Sequence, residues 1–426
     1  MTCLATPVQL SPMPTMKAAT AVSPVAAPAA GRALRLSPSI AFYLLASLTI
    51  TFLAGSSAPT PLYSVYRTEW GFTPLTVTLI FGIYALAVLS ALLVAGRLSD
   101  HLGRRPVLIT AALVQSVAML VFATADGVAS LMVARVIQGL ATGSALAAIG
   151  AGMLDLDTAR GTLANSVAPS LGTGLGGLVA GLVVHFLPAP THLVYLIFAV
   201  TFVAQAVGVV FIAETASQQA GAGLSLRPQF RVPAAVRGPM LLAVPILLAA
   251  WSIGGLYASL VPALLHAAFG WDASLQGGIA LFLMAVSGTG AILLLRGIPA
   301  GVMVKAGASA LLVGAAGVVA ALACRSATGF LLGTIVVGAG FGIGFQGGMR
   351  SVVTVAAPQE RAGVLSVIFV VSYLALALPV IVAGMVVVRS GNLLGTAEGF
   401  GLVVIALAAI ALVGAVLNDR PALATR

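Results

Sequence analysis

The residues able to do acid, base or metal chemistry are few, and their positions say more than their number. The chain of 426 residues holds ten acids: Glu69, Asp100, Asp126, Asp155, Asp157, Glu214, Asp272, Glu360, Glu398 and Asp419. Its histidines are His101, His185, His192 and His266, and its cysteines are Cys3 and Cys324. Every acid falls in a polar break or at the edge of an apolar run. The pattern offers no nucleophile beside a base, no acid pair inside an apolar run and no three ligands at metal spacing, so neither an enzyme nor a metal site is expected. A phosphate loop of the G-x-x-x-x-G-K-[ST] type does not occur, so direct ATP drive is not expected, and no cofactor is called for. Gly172-x-Gly174-x-x-Gly177 and Gly342-x-Gly344-x-x-Gly347 fit a dinucleotide fingerprint by letter. Both lie inside apolar runs with no strand before them, so helix packing is the better reading. One charge stands inside an apolar run. Arg135 there costs about 2.5–3.5 kcal/mol or more, so it should have a task. Asp126, the nearest acid on the same run, is about 13 Å away along a helix axis and is not its partner.

These residues must be held by elements made for lipid. The chain is 60% hydrophobic and 7% charged, against about 25% charged for a soluble domain. Apolar runs cover about 38–62, 75–96, 106–125, 128–152, 162–187, 192–213, 239–265, 274–295, 302–323, 327–349, 363–388 and 397–418. Each is long enough to span a bilayer, and continuous runs of this length predict helices, not barrel strands. The expected fold is all-α and polytopic: twelve membrane helices in two pseudo-symmetric six-helix bundles. Residues 1–37, rich in Ala, Pro, Ser and Thr, read as a disordered cytoplasmic tail. Residues 38–213 and 239–418 are the two bundles, 214–238 a cytoplasmic linker and 419–426 a second cytoplasmic tail.

Charge tests the count. With the N-terminus in the cytoplasm, sixteen of the twenty Lys and Arg residues fall on the cytoplasmic side, while Arg67, Arg325 and Arg389 fall outside and Arg135 within a span. That bias is the positive-inside rule, and it places both termini in the cytoplasm and Cys3 and Cys324 on opposite sides. The net charge of +10 is thereby spent on orientation, not on nucleic acid. The halves also repeat. Gly139, Gly143 and Arg160 return 201 residues later as Gly340, Gly344 and Arg361, and Gly71 and Arg97 return 199 residues later as Gly270 and Arg296. An even number of helices per copy gives parallel repeats, a known transporter design.

The second polar break reads Gly96-Arg97-Leu98-Ser99-Asp100-His101-Leu102-Gly103-Arg104-Arg105-Pro106. It resembles the signature loop of the major facilitator superfamily, G-x-L-[SA]-D-x-x-G-R-[RK], at every defined position. The resemblance covers about 38–418 and implies a secondary transporter working by alternating access. It implies that Asp100 sits by the start of the eleventh helix, near Pro358, Gln359 and Glu360. Arg104 can reach Asp155 or Asp157 at the end of the fourth helix. Gly96, Asp100, Gly103, Arg104, Arg105, Asp155 and Asp157 are therefore expected to form a latch between the halves. Its counterpart, Arg296-Gly297-Ile298-Pro299, lacks the acid and the arginine pair, so the latch is expected on one side only. Arg135-Val136-Ile137-Gln138-Gly139 is similar to the family's R-x-x-x-G element, which links Arg135 and Gln138 to proton coupling. With no acid on hand, Arg135 is expected to meet an anionic group or tune a proton site; the alternative is that it binds backbone carbonyls of a neighbouring helix.

Signals for direction are mixed. The fifth run is rich in glycine but lacks the central Gly-Pro of the family's drug antiporters, while Ala213-Glu214-Thr215 resembles the Pro-Glu-Thr of exporters. The expectation is proton-coupled export of a small organic solute across the bacterial cytoplasmic membrane, with uptake or facilitation of a metabolite as the alternative and a non-transporting sensor as a distant one. The absence of mid-membrane acids points to a neutral or anionic substrate. The polar and aromatic groups near mid-span, Tyr84, Trp251, Ser252, Tyr257, Gln346 and Tyr373, are the candidate cavity. Gly139, Gly143, Gly172 and Gly176 are expected to pack helices, as are Gly340, Gly344 and Gly348 along one face. The expected partners are the substrate and the lipid bilayer, with the proton gradient as energy source. The chain is expected to be a monomer that binds no nucleic acid.

Overall fold

A computed structural model describes residues 35–96, 98–216 and 232–418. The readings made for Arg97, for most of the first tail and the linker, and for the second tail lie outside the described residues. Among the described residues there are fifteen helices, and all but one short loop helix build twelve spans. The first bundle contains α1 (Pro38–Ser57), α2 (Pro59–Trp70), α3 (Pro74–Ala95), the short α4 (Leu98–Leu102), α5 (Arg104–Ala123), α6 (Val128–Leu156), α7 (Thr158–Phe186) and α8 (Pro190–Val210). The second contains α9 (Ala234–Ser259), α10 (Val261–Phe269), α11 (Ala273–Leu295), α12 (Ala300–Ala323), α13 (Ala327–Val353), α14 (Arg361–Ser390) and α15 (Leu393–Asn418). Twelve spans return α15 to the end where α1 begins. That end carries α4 and is called the loop end; the other is the far end.

Helix ends explain where the acids went. Asp157 caps α7 by accepting from the Arg160 amide at 2.9 Å, and Asp272 caps α11 through the Leu275 amide at 2.7 Å. A side-chain oxygen at this position satisfies an amide that has no partner in the helix. Proline opens α1, α2, α3, α8 and α10, where its missing N–H costs nothing. Gly71 and Gly270, paired by the internal repeat, end α2 and α10 in the same left-handed conformation, with φ of 66° and 68°.

The first and seventh spans are longer than their apolar runs because both are broken helices. Span one breaks at Ala58, followed by Pro59 and Pro61, and span seven breaks at Leu260, followed by Pro262. A proline inside a helix has no N–H to offer the carbonyl four residues earlier and crowds it.

Small residues bring the helices close. Gly139 and Gly143 of α6 lie on the α3 backbone around Tyr84 and Val88, and Gly172 and Gly176 of α7 lie on α1 around Ile50 and Ala54. Gly174, Gly177 and Gly181 use the other side of α7 to meet Phe282, Leu281 and Ser274 of α11 in the second bundle. The stripe Gly340, Gly344, Gly348 is shared between two neighbouring helices. Gly340 meets Leu311 of α12, Gly348 meets Ile246 and Leu247 of α9, and Gly344 lies against both helices. Steps of four residues drift around a helix of 3.6 residues per turn, which turns the stripe from one neighbour to the next. The two fingerprint-like glycine runs are thus filled by neighbouring helices.

Candidate functional site

At the loop end, the signature residues close on one another within the first bundle. The Arg104 guanidinium pairs with Asp100 four residues earlier, donates to Ser99 Oγ at 2.6 Å and reaches Asp155 at the end of α6 at 3.3 Å. Thr215 donates to the same Asp155 carboxylate at 3.1 Å. Among the described residues Asp100 has its partner in Arg104 and not at the start of α14. This corrects the expected cross-bundle contact: an acid four residues before an arginine on adjoining helical turns is its nearest ion partner. Asp157 is committed to capping α7 and pairs with Arg160, so it does not bind Arg104.

Glu214 completes this network, and the sequence had offered it only as a family likeness. Its carboxylate accepts from the Arg104 amide at 2.8 Å and the Arg105 amide at 3.0 Å, capping α5 from the end of α8. Arg105 thus contributes its backbone. The signature needs glycine at 103 for two reasons. Its φ of 98° suits no side chain, and an added Cβ would fall 2.7 Å from a Glu214 carboxylate oxygen. Gly96 ends α3 with its backbone on α3's own last turn.

Mid-span, α6 repairs the break in the first span. Pro59 leaves the Gly55 carbonyl without its helical donor, and Gln138 Nε2 donates to that carbonyl at 2.9 Å. The Arg135 guanidinium donates to the Ser56 carbonyl at 2.7 Å, to Gln138 Oε1 at 2.7 Å and twice to the Tyr63 hydroxyl, at 2.6 and 3.0 Å. Arg135 is fully buried. Its charge lies 5.0 Å from the Tyr84 ring centre, 5.6 Å from Tyr63 and 5.7 Å from Phe122. Among the described residues no carboxylate is a partner of Arg135. The carbonyl end of α1 and three π faces supply the negative potential instead. Of the two readings open in the sequence, the one in which Arg135 binds backbone carbonyls describes this conformation. The Ser-Ser-Ala-Pro-Thr-Pro run of residues 56–61 was the available signal for the joint that Arg135 and Gln138 serve.

The second broken span is repaired across the bundles. Pro262 frees the Ala258 carbonyl, which accepts from Thr60 Oγ1 of the first bundle at 2.9 Å. Beside it, Ser64 and Ser274 hydroxyls lie 2.8 Å apart, and Ser274 donates to the Pro61 carbonyl at 3.0 Å. These residues were not singled out in the sequence, because isolated hydroxyls in or beside the ends of apolar runs carry no pattern of their own. Nearer the loop end the bonds between bundles are longer: Ser170 to the Ala285 carbonyl and Gln346 to Ser166 are both 3.4 Å. The bundles are therefore clasped most firmly at the far end.

The candidate cavity residues divide. Tyr84, Trp251 and Tyr373 meet in one cluster between α3, α9 and α14. Ser252 donates to the Ala375 carbonyl at 3.2 Å and ties α9 to α14. Gln346 faces the other bundle through Ser166. Tyr257 does not belong with them. It is fully buried inside the second bundle, with its hydroxyl 2.7 Å from Thr334 Oγ1, because a position six residues after Trp251 lies about 120° away around the helix.

A broken first span, a repeat of it 200-odd residues later and an acid–arginine loop after the second span define a membrane transporter of two like halves. The chain belongs to the Major Facilitator Superfamily, whose family model matches residues 44–380. Among solved structures it is similar to a bacterial homologue of the human lysosomal transporter Spinster, at TM-score 0.70 and 13% identity over 90% of this chain and 98% of that one. It is also similar to the nucleoside transporter NupG, at TM-score 0.64 and 15% identity, covering 90% and 98% of the two chains. The human organic anion transporter MFSD10 matches at TM-score 0.61 and 20% identity over 88% of this chain and all of that one. The multidrug resistance protein MdtL of Klebsiella pneumoniae (strain 342) is 34% identical over 104 residues, which are 24% of this chain and 26% of MdtL. The chain thus matches about a quarter of the length of these curated relatives. It is a multi-pass membrane transporter and not an enzyme.

Proposed function

We propose that this transporter exports a small organic solute from the bacterial cytoplasm by alternating access, driven by the proton gradient. In this reading the loop end faces the cytoplasm, both termini lie there, and the chain acts in the cytoplasmic membrane as a monomer without a cofactor. The substrate is neutral or anionic. The partial likeness to the multidrug resistance protein MdtL and the Ala213-Glu214-Thr215 segment support export. The positive-inside charge bias supports the orientation.

The observation that carries alternating access is the far-end clasp. Thr60, Ser64 and Ser274 join the bundles through hydroxyl bonds at 2.8–3.0 Å, two of them made to the carbonyls of Pro61 and Ala258 at the broken spans. A solute can leave through the far end only when these bonds part. Ser64→Cys with Ser274→Cys, with the native cysteines replaced by Ser, would place two thiols where the hydroxyls are. Oxidation should trap the far end shut and stop transport in proteoliposomes, and a reductant should restore it. Full transport by the oxidised, fully cross-linked protein would overturn alternation about this clasp. Direction is read from the same vesicles: solute entry into inside-out vesicles that discharges an imposed proton gradient is the expected result.

A further inference from the structure

The cluster between the bundles has chemistry of its own. The Trp251 ring centre lies 5.1 Å from Tyr373, 5.3 Å from Phe345 and 6.5 Å from Phe341, at interplanar angles of 49°, 76° and 53°. Tyr84 adjoins from the other bundle. Trp251, Phe341 and Phe345 remain only partly buried, although they stand mid-span. The indole Nε1–H is nevertheless buried and has no acceptor among the described residues. A buried indole donor ordinarily finds a partner, since leaving it unpaired forfeits its hydration.

Charge narrows what can complete this cage. Aromatic faces attract cations, yet the guanidinium of Arg135 already occupies one face of Tyr84, 5.0 Å from its centre. No carboxylate of the described residues stands mid-span to offset a second positive charge. An anion gains little, because Arg135 is fully buried behind Tyr84, its donors are engaged by Tyr63, Ser56 and Gln138, and the π faces are themselves negative. We infer that the cage formed by Trp251, Tyr373, Phe341, Phe345 and Tyr84 is the substrate subsite, and that it selects uncharged planar aromatic compounds carrying a hydrogen-bond acceptor for the Trp251 Nε1–H. This rests on the transporter reading and sharpens its substrate class from neutral or anionic to neutral and aromatic.

Three probes of one shape and different charge test it: quinoline-3-carboxamide, its N-methylquinolinium cation and quinoline-3-carboxylate. Binding to the purified full chain, by calorimetry and by shift of the melting temperature, should favour the neutral amide over either ion by tenfold or more. Trp251→Phe keeps a ring and removes the donor, and should weaken the amide about tenfold, the scale of one buried hydrogen bond. Phe345→Leu removes the edge-to-face neighbour and should weaken it as well. Trp271→Phe, outside the cage, should leave binding unchanged. Each variant is melted without ligand, so a folding defect is seen directly. The wild-type comparison of the three probes needs no variant at all. Binding of none of the probes, preference for either ion, or undiminished binding in well-folded Trp251→Phe would each overturn the substrate class. If solute transport and its block by the Ser64–Ser274 cross-link persist in that case, the transporter reading stands without it.

Discussion

The two broken spans are the same device built twice from different chemistry. In the first, the carbonyls freed at the break are taken by a buried arginine and a glutamine of the same bundle. In the second, positions 201 residues after Arg135 and Gln138 hold Val336 and Ala339, so no such donors exist. Its freed Ala258 carbonyl turns to Thr60 in the opposite bundle, and its core is held by Tyr257, Thr334 and Phe330. The loops differ in the same sense. The first has Asp100, Arg104, Asp155 and Glu214 bonded together, whereas in the second Arg350 donates to the backbone carbonyl of Arg296 at 3.1 Å. Charge therefore stabilises the first bundle internally. The second bundle depends on its neighbour to satisfy its break, and it contributes most of the aromatic cage. A joint satisfied within its own bundle survives when the bundles separate. One satisfied across them is made and broken as they move.

The largest effect should come from the buried guanidinium. Arg135→Ala would leave the Tyr63 hydroxyl, the Ser56 carbonyl and Gln138 Oε1 buried without their donor, and removing one member of a buried charged network costs about 3–5 kcal/mol. The variant should melt at a markedly lower temperature and lose transport. Arg135→Lys keeps the charge but not the planar fork that serves three acceptors at once, and should recover only part of both. Melting curves run beside proteoliposome transport decide the outcome. A well-folded Arg135→Ala protein with wild-type coupled transport would remove the distinction drawn between the bundles.

A cycle of substitutions sharpens the comparison at intermediate scale. If Gln138 exists to serve the carbonyl that Pro59 frees, its loss should matter only while Pro59 is there. Gln138→Ala alone should cost about 1–3 kcal/mol, the price of a buried carbonyl left unsatisfied. In a Pro59→Ala background the residue at 59 regains an amide able to reach Gly55, and Gln138→Ala should then cost much less. Equal costs in both backgrounds, measured by chemical unfolding in detergent, would show that Gln138 acts on Arg135 alone.

What was legible in the sequence follows the same division. Twelve spans, their repeat and the transporter class were readable because lipid imposes length, apolarity and charge bias on every span. The glycines of α3, α6 and α7 contacts were readable because close packing needs small residues at helical spacing. The loop residues could be named but only in part paired: Arg104 was expected at Asp155 or Asp157 and reaches Asp155, whereas the partner of Asp100 was not foreseen. Asp100 had two partners within reach of the pattern, the helix start across the interface and Arg104 next to it, and one-dimensional order cannot choose between them. Thr60 and Ser274 were missed because their partners are backbone carbonyls, which every residue possesses, and Tyr63 and Ser64 because nothing in the order of residues sets them beside Arg135 and Ser274. Pro59, Pro61 and Pro262 were the only marks of where those carbonyls would be free. Tyr257 was misassigned because depth in the membrane was readable and direction around the helix was not.

The smallest effect belongs to the loop, where the structure places an acid that caps a helix from another chain segment. Glu214 receives the first two amides of α5 and is exposed, so its contribution is that of a surface carboxylate at a helix N-terminus, about 0.3–1 kcal/mol. Glu214→Gln keeps one carbonyl oxygen as acceptor but removes the charge, and should lower the melting temperature by a degree or so at low salt. The difference should shrink as salt is raised, since exposed charges are screened beyond about 8 Å at physiological ionic strength. Asp155→Asn should behave alike, because the pair it forms with Arg104 is also partly exposed. Gly103→Ala should do worse than either, since its φ of 98° and the approach of Glu214 both oppose a side chain. A salt-independent loss as large as that of Arg135→Ala in the Glu214→Gln protein would mean that the loop, not the repaired break, carries the first bundle's charge-based stability.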